Sequence, residues 1–394
     1  MRKLTLYLLS SAFAGGALLA IEACSSSVDA TSLAYPYGDA SGDGSPSVDG
    51  GGFGTPSAPV LAVNGLVLVH AASFPAFRVC FEGAQGDRPA PSTDVMPESN
   101  VVGVEVGTAL RLPPHSGILG RAFVFPELAL RALYPAFGGA GIGPTCGQLL
   151  LSNKADAIEV ANIVADVSSG VHALVLQGCR KGAEDATAST QRCGDTWTAA
   201  TGNLRLEVVP LTAFMRRPDT NGLPVQLLQL SPGLARMSAG RALGMAFGAL
   251  DREGGAPPAP FLEGRLPFAE PVPNPPALLD YAGADLQSYA THGVFVTLGA
   301  PLDDAGKPTD GGGAERKVVI TESLEEIQRR SASRSLPPEW FAEASSYVIL
   351  SVGDPDPRLA DGGPDDDARR ALHLLAIPLA AVQAPDAGGR DASR

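Results

Sequence analysis

Apolar residues along the chain come in short runs of Val, Leu and Ile bounded by Gly, Pro or Ser, the pattern of strands rather than helices. Three such runs occur twice, in the same order. Leu204-Arg-Leu-Glu-Val-Val-Pro-Leu211 returns as Leu372-His-Leu-Leu-Ala-Ile-Pro-Leu379. Val67-Leu-Val-His-Ala-Ala-Ser73 parallels Val225-Gln-Leu-Leu-Gln-Leu-Ser231, and His172-Ala-Leu-Val-Leu-Gln-Gly178 parallels Tyr347-Val-Ile-Leu-Ser-Val-Gly353. The copies lie 158, 175 and 168 residues apart, so insertions differ between them. Further strands are predicted at 78–81, 101–106, 120–125, 148–151 and 293–298. The shared Pro210 and Pro378 predict an edge or strand-end position, because proline cannot donate to a ladder. Helix signals are few. Ser323-Leu-Glu-Glu326 forms a capping box ahead of Ile327, Pro337–Phe341 can open a turn, and 155–167 reads equally as helix or strand.

A repeated order of short strands with turn-rich connections predicts a mainly β protein: two tandem β-sandwich modules at 59–215 and 222–382, with long loop inserts and few short helices. These strands resemble the bacterial extracytoplasmic domain of unknown function 4397, on Leu66-Val-Leu-Val-His-Ala-Ala72, Ser231-Pro232 and Ser346-Tyr-Val-Ile-Leu-Ser-Val-Gly353. The resemblance implies tandem immunoglobulin-like sandwiches on secreted or lipid-anchored proteins, and implies no activity. The inserts at 248–275 and 303–316 depart from that family's compact modules.

The N-terminus is of another kind. Met1-Arg2-Lys3 precedes an apolar run from Leu4 to Ile21, the layout of a secretory signal. Ile21-Glu22-Ala23-Cys24 resembles the lipobox of bacterial lipoproteins, with Glu22 a departure from the usual neutral residue. The resemblance implies a signal peptide over 1–23, lipidation of Cys24 and, with Ser25 following, an outer-membrane address in a Gram-negative bacterium. Residues 24–58 are rich in Ser, Gly, Asp and Pro and read as a flexible tether, and 383–394 read as a disordered tail.

Composition narrows the function classes. The 46 Gly and 34 Pro make about a fifth of the chain, above the roughly 12% of average usage and below the roughly 25–30% of a low-complexity chain. Only 18% of residues are charged, and the net charge of −13 argues against nucleic acid as partner.

The cysteines beyond Cys24 are Cys80, Cys146, Cys179 and Cys193, an even number in an exported chain, which favours disulfides. Three pairings are open; Cys179 and Cys193 bracket a polar loop directly after a strand, which favours a local staple and leaves Cys80 with Cys146. No close cysteine pair and no paired histidine spacing occurs, so neither a metal site nor a cofactor is expected. His70, His115, His172, His292 and His373 stand singly, and His115-Ser116 lacks the Gly-x-Ser-x-Gly elbow of a nucleophile. Gly138–Gly143 lacks the Gly-Lys-Ser/Thr ending of a phosphate loop, and 39–50 lacks the terminal Glu of a calcium loop. The Asp-rich stretch 354–367 reads as a solvated acidic loop, and Trp197 as a packing residue.

The expectation is therefore a non-enzymatic, lipid-anchored cell-envelope protein with a structural, adhesive or ligand-binding role. It would bind an envelope protein or a glycan through inter-strand loops. The alternatives are a secreted hydrolase whose site is dispersed among loops, and a carbohydrate-binding module.

Overall fold

The computed structural model describes residues 65–83, 103–112, 117–134, 143–182, 193–214, 222–250, 258–280, 291–309, 316–330, 346–355 and 371–379. They are mainly β. The strands of the first half are β1 (Gly65–His70), β2 (Phe77–Glu82), β3 (Ala109–Leu112), β4 (Ile118–Pro126), β5 (Ile158–Asp166), β6 (Val171–Gln177) and β7 (Arg205–Leu211). Its helices are α1 (Glu127–Leu133) and α2 (Cys146–Ser152). The second half holds β8 (Gly222–Gln229), α3 (Pro232–Met237), β9 (Arg241–Ala249), β10 (Pro260–Gly264), β11 (Val272–Asp280), β12 (His292–Pro301), β13 (Lys317–Ser323), α4 (Leu324–Arg330), β14 (Ser346–Val352) and β15 (His373–Leu379).

These strands form four sheets, with orders β2-β4-β5, β3-β1-β6-β7, β11-β8-β14-β15 and β10-β9-β12-β13. No sheet mixes strands from both halves. The second and third share one pattern of directions: β1 runs parallel to β6 as β8 does to β14, and β6 is antiparallel to β7 as β14 is to β15. All six repeated segments are strands in these two sheets, at matching positions.

Register corrects one repeat by a residue. His172 lies opposite Pro210 and Leu66, while Tyr347 lies opposite Pro378 and Val225. The structural counterpart of Val225 is therefore Leu66, not Val67. Side chains alternate between faces, so a one-residue slip exchanges the two faces. With the corrected register, Leu66 and Val225 each face the core of their own half.

The faces explain the unbroken apolar runs. Leu66, Leu68, Leu174 and Leu206 pack with Val79, Val124 and Ile163 of β2, β4 and β5. Val225, Leu227, Ile349 and Leu374 pack with Met245, Val296 and Leu298 of β9 and β12. The opposite faces of the two middle sheets meet each other: Val69, Ala173, Val175, Val209 and Leu211 join Leu228, Val348, Leu350, Ile377 and Leu379. The described sheets thus stack in four layers with three apolar seams. Strands β8, β14 and β15 are buried at every position because both their faces are covered. Burial on both faces turns alternation into continuous hydrophobicity, as in covered parallel sheets.

Three expectations are revised. The insert 248–275, read as loop, holds β10 and the start of β11. Residues 148–151, read as a strand, belong to α2. Thr145 caps it, its Oγ1 accepting from the Gln148 N–H at 3.2 Å while Gln148 Oε1 accepts from the Thr145 N–H at 2.9 Å. That reciprocal cap satisfies two helix-end donors and outweighs the strand preference of a short Leu run. In 101–106 only Val104 pairs, in an isolated bridge to Phe77. The ambiguous 155–167 resolves mainly as β5. The helix expected after Ser323 is α4, where Ser323 Oγ accepts from the Glu326 N–H at 3.0 Å.

Candidate functional site

The parallel strands β1, β6, β8 and β14 bring the loops after them to one rim of the stack. There a small cleft of about 30 Å³ lies across the seam, lined by Ala71, Ala72 and Ser73 of the first half and Pro232, Gly233, Gly353 and Asp354 of the second. Gly353 has φ of 90°, which lets the chain leave β14 sharply, and Asp354 follows with 8% exposure. Gly233 is required where it stands, because a Cβ there would come within 2.8 Å of Pro355 Cδ and 3.0 Å of Asp354 Oδ1.

Beside the cleft sits a compact knot. Cys179 and Cys193 are disulfide-bonded and pack on Trp197, whose Nε1 donates to the Arg180 carbonyl at 3.1 Å. Asn203 ties the loop from inside: its Oδ1 accepts from the Cys179 N–H at 2.9 Å and its Nδ2 donates to the Cys193 carbonyl at 2.7 Å. Trp197 is 7% exposed, so its packing reading holds. Arg236 of α3 reaches Asp195 in the knot at 2.6 Å, a polar link across the halves.

The second disulfide, Cys80–Cys146, joins β2 to α2 on the outer face of the first sheet. Both cysteines are fully buried with Phe123, Phe125, Leu130 and Leu149. Both expected pairings are thus present. Arg78, also fully buried, donates from Nη1 to the Pro144 carbonyl just before α2. At the margin of this cluster Arg121 makes a two-pronged bond to Glu159 and a 3.0 Å contact to Glu82, and Lys154 bonds Glu82 at 2.7 Å. Hydrogen bonding from Arg121 lowers the Glu159 carboxyl below its ordinary value. Both cations lie over the Phe123 ring, at 5.1 and 4.6 Å.

The four described histidines are built into the packing. His70 ends β1 wholly inside the first core, edge-on to Phe77 at 4.9 Å. Neither ring nitrogen reaches a partner at hydrogen-bonding geometry. Burial drives its pKa down to about 3, against a smaller upward pull from the Glu105 and Val104 carbonyls. His172, half-covered, is lowered by burial against the pull of Asp166. His292 stacks on Phe247 at 5.8 Å.

His373 belongs to a buried ionic cluster that single-sequence reading missed. Glu322 on β13 is 7% exposed; its Oε1 lies 3.1 Å from Arg330 and 3.7 Å from His373 Nδ1, and its Oε2 accepts from the Leu374 N–H at 2.5 Å. Arg330 also meets Glu326 at 2.5 Å, four residues back on α4. The spacing of Glu326 and Arg330 was a visible signal, but the reach of Glu322 to β15 depends on tertiary packing. This cluster holds a helix to a sheet. Among the described residues, no group of three or more His, Cys, Asp or Glu is placed to hold a metal ion.

Cys24, His115, Ser116, the turn expected at 337–341, the 39–50 segment, and most of the 138–143 and 354–367 segments lie outside the described residues. No protein-family model matches this chain, and no curated protein sequence matches it.

Proposed function

We propose that this is a non-enzymatic, lipid-anchored envelope protein, built from two copies of one immunoglobulin-like sandwich and displaying loops for recognition. The resemblance to domain 4397 and the lipobox-like Ile21-Glu22-Ala23-Cys24 support export and anchoring at the outer membrane. The two disulfides fit an oxidising compartment. The observation that carries the reading is the central apolar seam, where matching faces of the two halves meet. Fully buried Val, Leu and Ile on both sides leave no hinge there. The loops at the rim are then held at a fixed spacing, as display requires. The burial of His70, Arg78 and Glu322 fits a packing role in this reading.

Metabolic labelling with a radioactive or clickable fatty acid tests the anchor. Label is expected on the wild-type chain and absent from Cys24→Ala. Label that persists in Cys24→Ala, or a wild type that takes none, removes the anchoring claim.

A further inference from the structure

We infer that the outer face of the first half, where α1 and α2 lie, is a lipid-contact surface that rests on the bilayer holding the chain. The inference deepens the anchored reading and rests on it, by naming the surface that meets the membrane.

Both helices pack on the outer layer. Leu130 of α1 and Leu149 of α2 are fully buried with Phe123 and Phe125. Their C-terminal ends are joined where Tyr134 Oη donates to Asn153 Oδ1 at 3.1 Å. A helix turns about 100° per residue, so a side chain two positions from a buried one points nearly the opposite way. Leu128 lies two before Leu130, and Leu151 two after Leu149. Both therefore project away from the protein, and they are 72% and 89% exposed. Leu133, next to Tyr134 at the end of α1, is 36% exposed.

Single exposed apolar residues are ordinary, but a charge-free group of them is not. Among the described residues eight large apolar side chains are exposed, and three fall on these two short helices. α2 has no charged residue, and the only charges of α1, Glu127 and Arg131, neutralise each other at 2.6 Å. In a chain of net charge −13 the two helices thus carry none, which removes the repulsion an acidic protein meets at an anionic bilayer. The occupant is set by the chain before β1. Residues 24–64 join Cys24, the lipidation site of the anchored reading, to Gly65. A Gly/Ser-rich chain of that length has a root-mean-square reach of about 35 Å. That is close to the roughly 30 Å between the outermost of four sheets packed about 10 Å apart. Leucines too few to hold a free chain on lipid then act at a high effective concentration. They are also too few for a stable dimer of free chains, which buries on the order of 800 Å² a side. With this layer on the lipid, the other three stack away from it.

The test uses the chain from Cys24 onward, which keeps every described element. Its Cys24 thiol, the one cysteine outside the two disulfides, is coupled to a maleimide phospholipid in phosphatidylcholine vesicles. Attachment then does not depend on acylation in the cell. Leu151→Trp reports on this face, and Val318→Trp, at a 39% exposed position of β13, reports on the outermost sheet of the second half. Lipid with brominated acyl chains quenches a tryptophan that enters the bilayer. Above the background of the native tryptophans, Leu151→Trp emission is expected to fall about twofold, as for an interfacial depth of about 5–10 Å. Val318→Trp emission should not change, and adding Leu128→Asp to Leu151→Trp should restore most of the lost signal. No quenching of Leu151→Trp, equal quenching of both reporters, or quenching that survives Leu128→Asp overturns the inference. So does a Leu151→Trp emission shift that follows protein density and ignores bromine, which would assign the face to a second copy of the chain. Fatty-acid labelling at Cys24 with no bromine quenching would remove the surface and leave the anchor. Quenching without labelling would do the reverse.

Discussion

In the first half, Cys80 ties β2 to α2 and Cys179 ties the end of β6 to the loop beyond it. The second half has the same inner-sheet topology and no cysteine. It is fastened instead by α4, which lies between β13 and β14 in the chain and sets Glu322, Arg330 and His373 against the edge of β15. In the first half β5 passes to β6 through a turn, without such a helix. One architecture thus carries two kinds of fastening, covalent where the outer sheet has three strands and ionic where it has four. The difference teaches that the repeated part is the inner sheet, while the fastenings belong to the inserts.

The most disruptive way to break this comparison is to attack what the halves share. Val348→Asp places a charge in the central seam with no partner, and is expected to cost more than about 4 kcal/mol. Denaturant melts should show both halves losing stability together. A change confined to one half would mean that the seam does not couple them.

Removing the covalent fastening comes next. Replacing Cys80 and Cys146 together by Ala is expected to cost about 4 kcal/mol, and Cys179 with Cys193 about 3 kcal/mol, because the first pair closes a longer loop. Their sequence separations are 66 and 14 residues. Urea melts of the two double variants check the order.

Acid probes the first core through His70. Its folded pKa of about 3 lies below its ordinary value of 6.5. Between those values the unfolded chain binds the proton and the folded chain does not. Stability is therefore unaffected by His70 above pH 6.5 and falls as pH drops below it, by about 3 kcal/mol at pH 4. His70→Gln, which copies Gln229 at the matching position, should flatten that slope. An unchanged slope would assign the acid sensitivity elsewhere.

Glu322→Gln tests the ionic fastening. It leaves Arg330 without its most buried carboxylate and is expected to cost about 2 to 3 kcal/mol. The smallest effect belongs to Arg121→Gln on the exposed network of the first half, where solvent screens each ion pair. Thermal melts of the pair compare a buried cluster with a surface one.

Much of this arrangement was legible. The repeated runs marked six inner strands, and Pro210 and Pro378 marked their edges, because a residue without an N–H tolerates only an outward place in the ladder. Both disulfides followed from spacing and number. The misreadings were local or global in instructive ways. The Leu149–Leu151 run looks like a strand until Thr145 and Gln148 are read together as a cap. The slip between Val67 and Leu66 arose because both neighbours are apolar, so identity alone could not choose a face. The Glu322 cluster joins residues 51 positions apart, from Glu322 to His373, and leaves no periodic trace.

By itself the sequence determined that six inner segments are strands, that they come as three pairs in one order, and which cysteines can pair, since each depends on local pattern or on count. Only the tertiary structure decided that the two halves share a third apolar seam. A strand buried on both faces reads as continuous hydrophobicity whatever covers it, and the identity of the covering layer is a property of the stacked sheets. The same holds for the edges. The Leu206 and Leu374 segments match in pattern, and among the described residues the packing of β13 and α4 brings a carboxylate only to the second.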